Sequence, residues 1–280
     1  MVADVPLGAF LSGGVDSSSV VALMAEQSRQ AVKTSTIGFD VESLDERQYA
    51  DHVARRFATD HRTRIVSPDD YGLLDRIVGH FDEPFADASA LPTFRVCELA
   101  REEVTVALSG DGADEAFAGY RRHLFQHRGE GMRRLLPQGL RGPVFGALGS
   151  IWPKADWAPR FLRAKSTFQE LAMSGAEAYA RSVGFTPPEL RARLYAPEFT
   201  RALSGHRAED RIVKTMESVP ARDPIDRAQY ADLKIWLPGD ILTKTDRMSM
   251  AVSLEAREPL LDYRLVGFAA RLPVGQRIHG

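Results

Sequence analysis

Over its first 120 residues the chain repeats one pattern: a short apolar or β-branched run, a small-residue or acidic turn, then apolar residues at three- and four-residue spacing. Residues 5–11 (VPLGAFL), 33–39 (KTSTIGF), 61–67 (HRTRIVS) and 104–108 (VTVAL) read as strands. The intervening helices are 17–27, a segment capped by Asp45 with Tyr49, Ala50, Val53, Ala54 and Phe57 on one face, a segment from about Asp69 with Leu74, Ile77, Val78 and Phe81 turned inward, and 90–101. A further helix is expected from Asp114. Strict alternation of strand and helix implies parallel strands joined by right-handed crossovers. The expected fold class is therefore α/β, with a doubly wound, mostly parallel sheet over residues 1–120.

The texture changes after Tyr120. Residues 121–165 hold eight Arg and two Lys against one Glu and one Asp, a local charge of +8, interrupted by several Gly and Pro. Two readings stand for this stretch, a nucleic-acid or phosphate surface and a solvated excursion. Residues 166–280 read as a mainly helical part completing the same domain. The 280-residue chain as a whole has a formal charge of only −2, so no global commitment to nucleic acid or anionic membrane follows, and nucleic acid is not an expected partner. Its hydrophobic fraction of 44% fits a globule with a real core. No apolar stretch is long enough to span a membrane, and the N-terminus lacks the pattern of a secretory signal. With Cys97 the only cysteine, a disulfide framework is impossible, and a cytoplasmic protein is expected.

The sharpest chemical signal is 12–18, SGGVDSS, between the first strand and first helix. Gly13 and Gly14 let backbone N–H groups close on an anion, Ser12, Ser17 and Ser18 add hydroxyl donors, and the helix N-terminus adds positive partial charge. The spacing and the lysine of a Walker A loop are both missing. An Asp16 inside a phosphate site calls for a divalent cation between the charges, hence magnesium with Asp16 as its ligand. The plainer alternative is a Gly/Ser turn in which Asp16 or Ser17 caps the helix. Three more segments carry clustered polar chemistry: 82–87 (DEPFAD), 109–115 (SGDGADE) and 244–262, which runs from KTDRMSM to SLEAREPLLD.

SGGVDSS after an apolar strand resembles the pyrophosphate loop of the N-type ATP pyrophosphatases, which cleave ATP between the α and β phosphates. All four motifs in this order resemble the C-terminal synthetase domain of glutamine-dependent asparagine synthetase, over nearly the whole chain. The resemblance implies an adenine nucleotide alpha hydrolase-like fold. It also implies an ATP-dependent ligase that makes asparagine from aspartate and ammonia through β-aspartyl-AMP, with ATP and Mg²⁺ bound. By the same resemblance Leu11, Ile37, Ser109 and Gly110 match positions that hold ATP. Asp111 matches an acidic residue that forms the acyl-adenylate, where many relatives carry glutamate. Asp82, Glu83 and Asp87 lie where the α-ammonium of an amino-acid substrate would be recognised.

Lys244, Arg247 and Arg257 are the cations available to neutralise leaving pyrophosphate, with Lys244 and Arg247 both open as the catalytic one. Glu255, Arg257 and Asp262 have an alternative structural reading as a buried ion-pair network. Glu258 and Leu260 replace apolar and aromatic residues of the resembled motif. Family members carry an N-terminal glutaminase beginning with a nucleophilic cysteine, whereas Val2 follows Met1 here. A separate or missing glutaminase domain is thus expected, and glutamine use is not; a homodimer is left open. Rival readings are a related adenylating enzyme acting on another carboxylate, such as a β-lactam synthetase-like one, a tRNA-modifying enzyme, and an inactive nucleotide-binding fragment. The last three motifs do not resemble the tRNA-modifying class.

Overall fold

A computed structural model describes residues 3–41, 45–152 and 164–278. In chain order the first half reads β1 (Leu7–Phe10), α1 (Val15–Gln27), β2 (Lys33–Phe39), α2 (Arg47–Phe57), β3 (Asp60–Val66), α3 (Leu74–Val78), α4 (Ala90–Arg101), β4 (Val106–Leu108) and α5 (Ala113–Phe117). Helices follow: α6 (Arg121–Arg133), α7 (Gln138–Ile151), α8 (Lys165–Ala172), α9 (Gly175–Val183), α10 (Pro188–Leu194), α11 (Pro197–Ala202), α12 (Glu209–Ser218) and α13 (Pro224–Ala231). A π-helical run, Asp232–Ile241, leads into α14 (Leu242–Met250), β5 (Glu255–Arg257), α15 (Tyr263–Ala269) and α16 (Val274–Arg277).

The chain forms two units, Met1–Ala116 with Trp236–Ala269, and Phe117–Ile235 with Ala270–Gly280. The first holds the sheet, in the order β3-β2-β1-β4-β5 with every neighbouring pair parallel. Sequence order reverses at β1, whose neighbours are β2 and β4. This is the doubly wound α/β fold expected from the strand–helix alternation. Alternate residues of β1 face opposite layers. Ala9 and Leu11 pack with Val20, Val21 and Met24 of α1 and with Ala50 and Ala54 of α2. Phe10 packs on the other side with Cys97 and Ala100 of α4, Ala107 and Leu254. A third cluster joins Ile77, Ala90 and Phe94 to Met248 of α14. Phe94 is fully buried, so Phe94→Ala would cost about 3–5 kcal/mol through lost contacts and the cavity left behind.

Several local expectations need correction. The N-cap of α2 is Glu46, without a side-chain cap, rather than Asp45, which precedes it and accepts the Arg47 N–H at 3.2 Å; Tyr49, expected on the inner face of α2, is exposed. No α-helix starts at Asp69; the chain makes a 3₁₀ turn over Pro68–Leu73, and α3 begins at Leu74, with Ile77 buried but Leu74 and Val78 exposed. Strand β5 was not anticipated. Its Glu255, Ala256 and Arg257 lie in register with Val106, Ala107 and Leu108. Trp236–Ala269, read from sequence as part of the helical continuation, therefore groups with the sheet.

The second unit is helical, as expected for the latter half. Tyr179, Met216, Ala228 and Ala231 form its core, and α9 starts with a capping box in which Ser174 and Glu177 satisfy each other's backbone N–H. Asp232 is almost fully buried and takes three donors on one oxygen: Tyr179 Oη at 2.6 Å, His123 Nε2 at 2.8 Å and Arg122 at 3.0 Å. The basic stretch 121–165 forms α6 and α7, its residues 153–163 lying outside the described ones. Part of its charge is internal. Arg133 and Arg141, each 6% exposed, donate to the carbonyls of Glu170 (3.0 Å) and Met173 (3.1 Å). Among the described residues no helix is long and apolar enough to cross a membrane.

Candidate functional site

An open parallel sheet exposes its loops at the C-terminal strand ends, and the crevice lies where strand order reverses. Here that edge, between β1 and β4, carries SGGVDSS after β1 and SGDGADE after β4. The two loops touch. A Cβ on Gly110 would lie 2.8 Å from the Ser17 nitrogen and 3.2 Å from Asp16 Cβ, so only glycine permits this approach. Gly13 has φ +82°, and a Cβ there would come within 2.5 Å of the Ala50 nitrogen.

The SGGVDSS turn is held by its own hydroxyls. Ser12 Oγ and Ser17 Oγ are 2.9 Å apart, Ser17 Oγ accepts the Ser12 N–H at 3.2 Å, and Ser12 Oγ accepts the Gly14 N–H at 3.3 Å. Gly14 occupies the N-cap of α1 without a side-chain cap, so neither Asp16 nor Ser17 plays the capping role of the plainer sequence reading. Ser18 Oγ is buried and has no hydrogen-bond partner. A helix N-terminus left uncapped beside a glycine turn suits an anion.

Burial first, and the Asp114 charge second, push the Asp16 carboxyl above its ordinary range. Two carboxylates thus lie near one another at the start of α1 and α5. Among the described residues no three His, Cys, Asp or Glu side chains gather as a metal cage. One or two carboxylates beside a phosphate site are nonetheless the donor set magnesium uses, since it completes its shell with phosphate oxygens and water. Asp16, with the Asp114 charge nearby, fits that role.

Leu11, Ser12 and Ile37 line one cleft with Phe10, Thr36 and Val96. Leu11 is buried, its N–H donating to Ser35 O at 3.0 Å and its carbonyl accepting the Thr36 hydroxyl, so it contributes a wall rather than a free polar group. Across the switch point Asp111 Oδ2 accepts two hydroxyls, Ser109 Oγ at 2.9 Å and Thr245 Oγ1 at 3.0 Å. Thr245 is 3% exposed, so α14 fixes the carboxylate from behind. Burial, then the Asp111 charge, pushes the Cys97 thiol up to about 12, and it is no nucleophile.

The two cations left open by the sequence sit differently. Lys244 Nζ lies 2.6 Å from both Asp87 Oδ2 and Ser89 Oγ, on the buried side of α14 and next to Thr245. Burial works against the Asp87 charge, but the Lys244 ammonium and two hydrogen bonds from Ser89 hold its carboxyl below the ordinary range. Arg247 pairs with Asp82 where both are exposed. Asp82 and Asp87, candidates for an incoming ammonium, are therefore each engaged by a cation of the chain, and Glu83 is exposed. The buried network read for Glu255, Arg257 and Asp262 is absent. Arg257 meets Glu255 at 2.6 Å in an exposed pair, while Asp262 pairs with Arg264 at 2.8 Å.

Sequence reasoning passed over Thr245, Ser89 and Asp114 as site residues. The first two contact partners 134 and 155 positions away, and no spacing rule reveals that. Asp114 stood within a quoted motif and was read only as a helix-start acid.

The family model for asparagine synthase matches residues 1–280. Asparagine synthetase [glutamine-hydrolyzing] 1 of Bacillus subtilis (strain 168) is 33% identical over 275 residues, covering 98% of this chain and 41% of the relative. A putative asparagine synthetase [glutamine-hydrolyzing] of Mycobacterium tuberculosis (strain ATCC 25618 / H37Rv) is 35% identical over 293 residues, covering 99% of this chain and 41% of the relative. Amidase chyE of Penicillium rubens is 27% identical over 311 residues, covering 97% and 43%. The chain thus spans less than half the length of these relatives. A match along its full length, on a sheet whose switch point carries both glycine loops, shows that this chain belongs to the asparagine synthase family.

Proposed function

We propose that this chain is the synthetase part of an ATP-dependent amide ligase that makes asparagine from aspartate and ammonia. The observation that carries the reading is the contact of the two glycine loops, with Gly110 against the Ser17 N–H at the β1/β4 switch point. One loop is built for phosphates and the other holds an oriented carboxylate, and an adenylating enzyme needs both together.

A carboxylate is a poor electrophile and must first be activated. In the proposed sequence the β-carboxylate of aspartate attacks the α-phosphorus of ATP, the bond to the β-phosphate breaks, and pyrophosphate leaves. Ammonia then attacks the acyl carbon of β-aspartyl-AMP, AMP departs with the former carboxylate oxygen, and a proton is lost from nitrogen. The N–H groups of 12–18 and the α1 N-terminus would bind the β and γ phosphates, placing positive potential where charge develops. Magnesium, held by Asp16 with the Asp114 charge nearby, would supply further neutralisation of phosphate charge. Leu11 and Ile37 would wall the nucleoside, with Ser109 and Gly110 at its backbone. Asp111, fixed by Ser109 and Thr245, acts in adenylate formation. Lys244 is favoured over Arg247 as the catalytic cation because it is the more enclosed of the two, with a side-chain exposure of 11% against 42%. A glutaminase partner as the source of ammonia belongs to the same reading, as does action in the cytoplasm.

A second reading changes the carboxylate acceptor, and the similarity to a protein named amidase chyE favours keeping it. ATP–pyrophosphate exchange across a panel of amino and other carboxylic acids decides between them. Exchange that depends on aspartate supports the first reading. Exchange with another acid alone moves the function to that acceptor, and no exchange with any acid rejects adenylation.

A further inference from the structure

Glu258 is a half-buried carboxylate with no cation partner among the described residues. It follows β5 directly, and because Leu108 is in register with Arg257, Glu258 stands beside Ser109 at the C-terminal edge of the sheet. The Ser109 N–H donates to the Arg257 carbonyl at 2.8 Å, which locks this register up to the loop itself. The turn that follows is docked on the same loop. Gly112 has φ +94°, and a Cβ there would collide with Leu261. Glu258 is thus carried at the sheet edge, one residue beyond β5 and alongside the loop that holds Asp111.

The charges around it do not compensate. Burial, then Asp111, then Asp246 push the Glu258 carboxyl above its ordinary range, and no ion pair to it occurs among the described residues. Asp87 and Asp82 are already paired, with Lys244 and with Arg247. A carboxylate held partly out of water beside another carboxylate is costly unless a cation arrives with the substrate. Besides the magnesium that accompanies ATP, this reaction brings ammonium, either as the nucleophile's protonated form or as the α-ammonium of the amino acid.

We infer that Glu258 is a substrate-binding residue that receives an ammonium group beside Asp111. The inference rests on the ligase reading for the identity of the reaction, but its binding test does not. In protein labelled with ¹³C at glutamate Cδ, the Glu258 resonance, assigned by its loss in Glu258→Gln, should move saturably with ammonium chloride or with aspartate, and not with sodium chloride. Kinetics then separate the sources. Glu258→Gln should raise KM about ten- to a hundredfold for ammonium alone if the nucleophile binds there, or for aspartate alone if the α-ammonium does, with KM for ATP unchanged and partial rescue by Glu258→Asp. A resonance indifferent to both cations, or a Glu258→Gln enzyme with all three KM values intact, overturns the inference. A moving resonance in a protein that adenylates no acid would instead leave ammonium binding standing and reject the ligase reading.

Discussion

Replacing Lys244 by methionine keeps the aliphatic stem and removes the ammonium, so the consequence is set by what Asp87 loses. The pair is largely enclosed, with side-chain exposures of 11% for Lys244 and 20% for Asp87. Stripping one partner from a fully buried pair costs about 3–5 kcal/mol because the other charge is stranded. Asp87 keeps the Ser89 N–H at 2.9 Å and hydroxyl at 2.7 Å, and some water reaches it, which brings the expected loss to about 2–3 kcal/mol. For a unit of this size that corresponds to a fall of about 5–10 °C in Tm, well short of unfolding. Arg247→Ala breaks an exposed pair and should cost less than about 1 kcal/mol. The pH dependence has a definite sign. Asp87 is depressed from about 3.8, so its contribution is fully present above that value and is lost as pH falls through the folded-state pKa. The gap between Lys244→Met and the unmodified chain should therefore be widest near neutrality and close in acid. Thermal melts by circular dichroism from pH 7 down to pH 3 measure it. A Lys244→Met loss no larger than that of Arg247→Ala, or a gap that widens in acid, would refute the placement of this ion pair.

Three further outcomes follow from the site. Asp16→Asn should abolish magnesium-dependent pyrophosphate release yet melt higher at pH 7, because a carboxyl raised by burial and Asp114 costs stability once ionised above about 3.8; a lower Tm or surviving release contradicts this. Gly110→Ala forces a Cβ to 2.8 Å from the Ser17 nitrogen, so equilibrium dialysis should show ATP affinity reduced at least about tenfold, and unchanged affinity would show that the loops need not touch. The Asp262 carboxyl, held at about 2 by the Arg264 side chain first and the Arg264 backbone N–H second, should rise in Arg264→Ala but stay below the ordinary 3.8 because the backbone donor remains; carbon-detected NMR that finds no rise removes that pair.

What the sequence disclosed follows from how local each signal was. β2 and α4 occupy the ranges read from their patterns, because a seven-residue β-branched strand and a twelve-residue amphipathic helix each carry enough periodicity. β5 did not show because Glu255, Ala256 and Arg257 offer two charges and one small residue; its strand state is imposed by pairing with β4. The same tertiary origin hid Thr245 and Ser89, ordinary hydroxyls in local context that become site residues only when α14 packs against α4. The glycine loops were legible because their chemistry is in the backbone, where residue type alone restricts what can stand at Gly13 and Gly110. For Glu255, Arg257 and Asp262 a buried network stood only as an alternative to a chemical role, because charge spacing along a short turn does not say which side chains reach each other.

The central claim is that a carboxylate oxygen attacks the α-phosphorus of ATP at the paired glycine loops. Aspartate labelled with ¹⁸O in its side-chain carboxylate, supplied with ATP, magnesium and ammonium, tests this directly through mass and ³¹P NMR analysis of the products. The account predicts one labelled oxygen in AMP, unlabelled pyrophosphate, and asparagine in equal amount. Label in inorganic phosphate together with ADP would place the attack on the γ-phosphorus and contradict it.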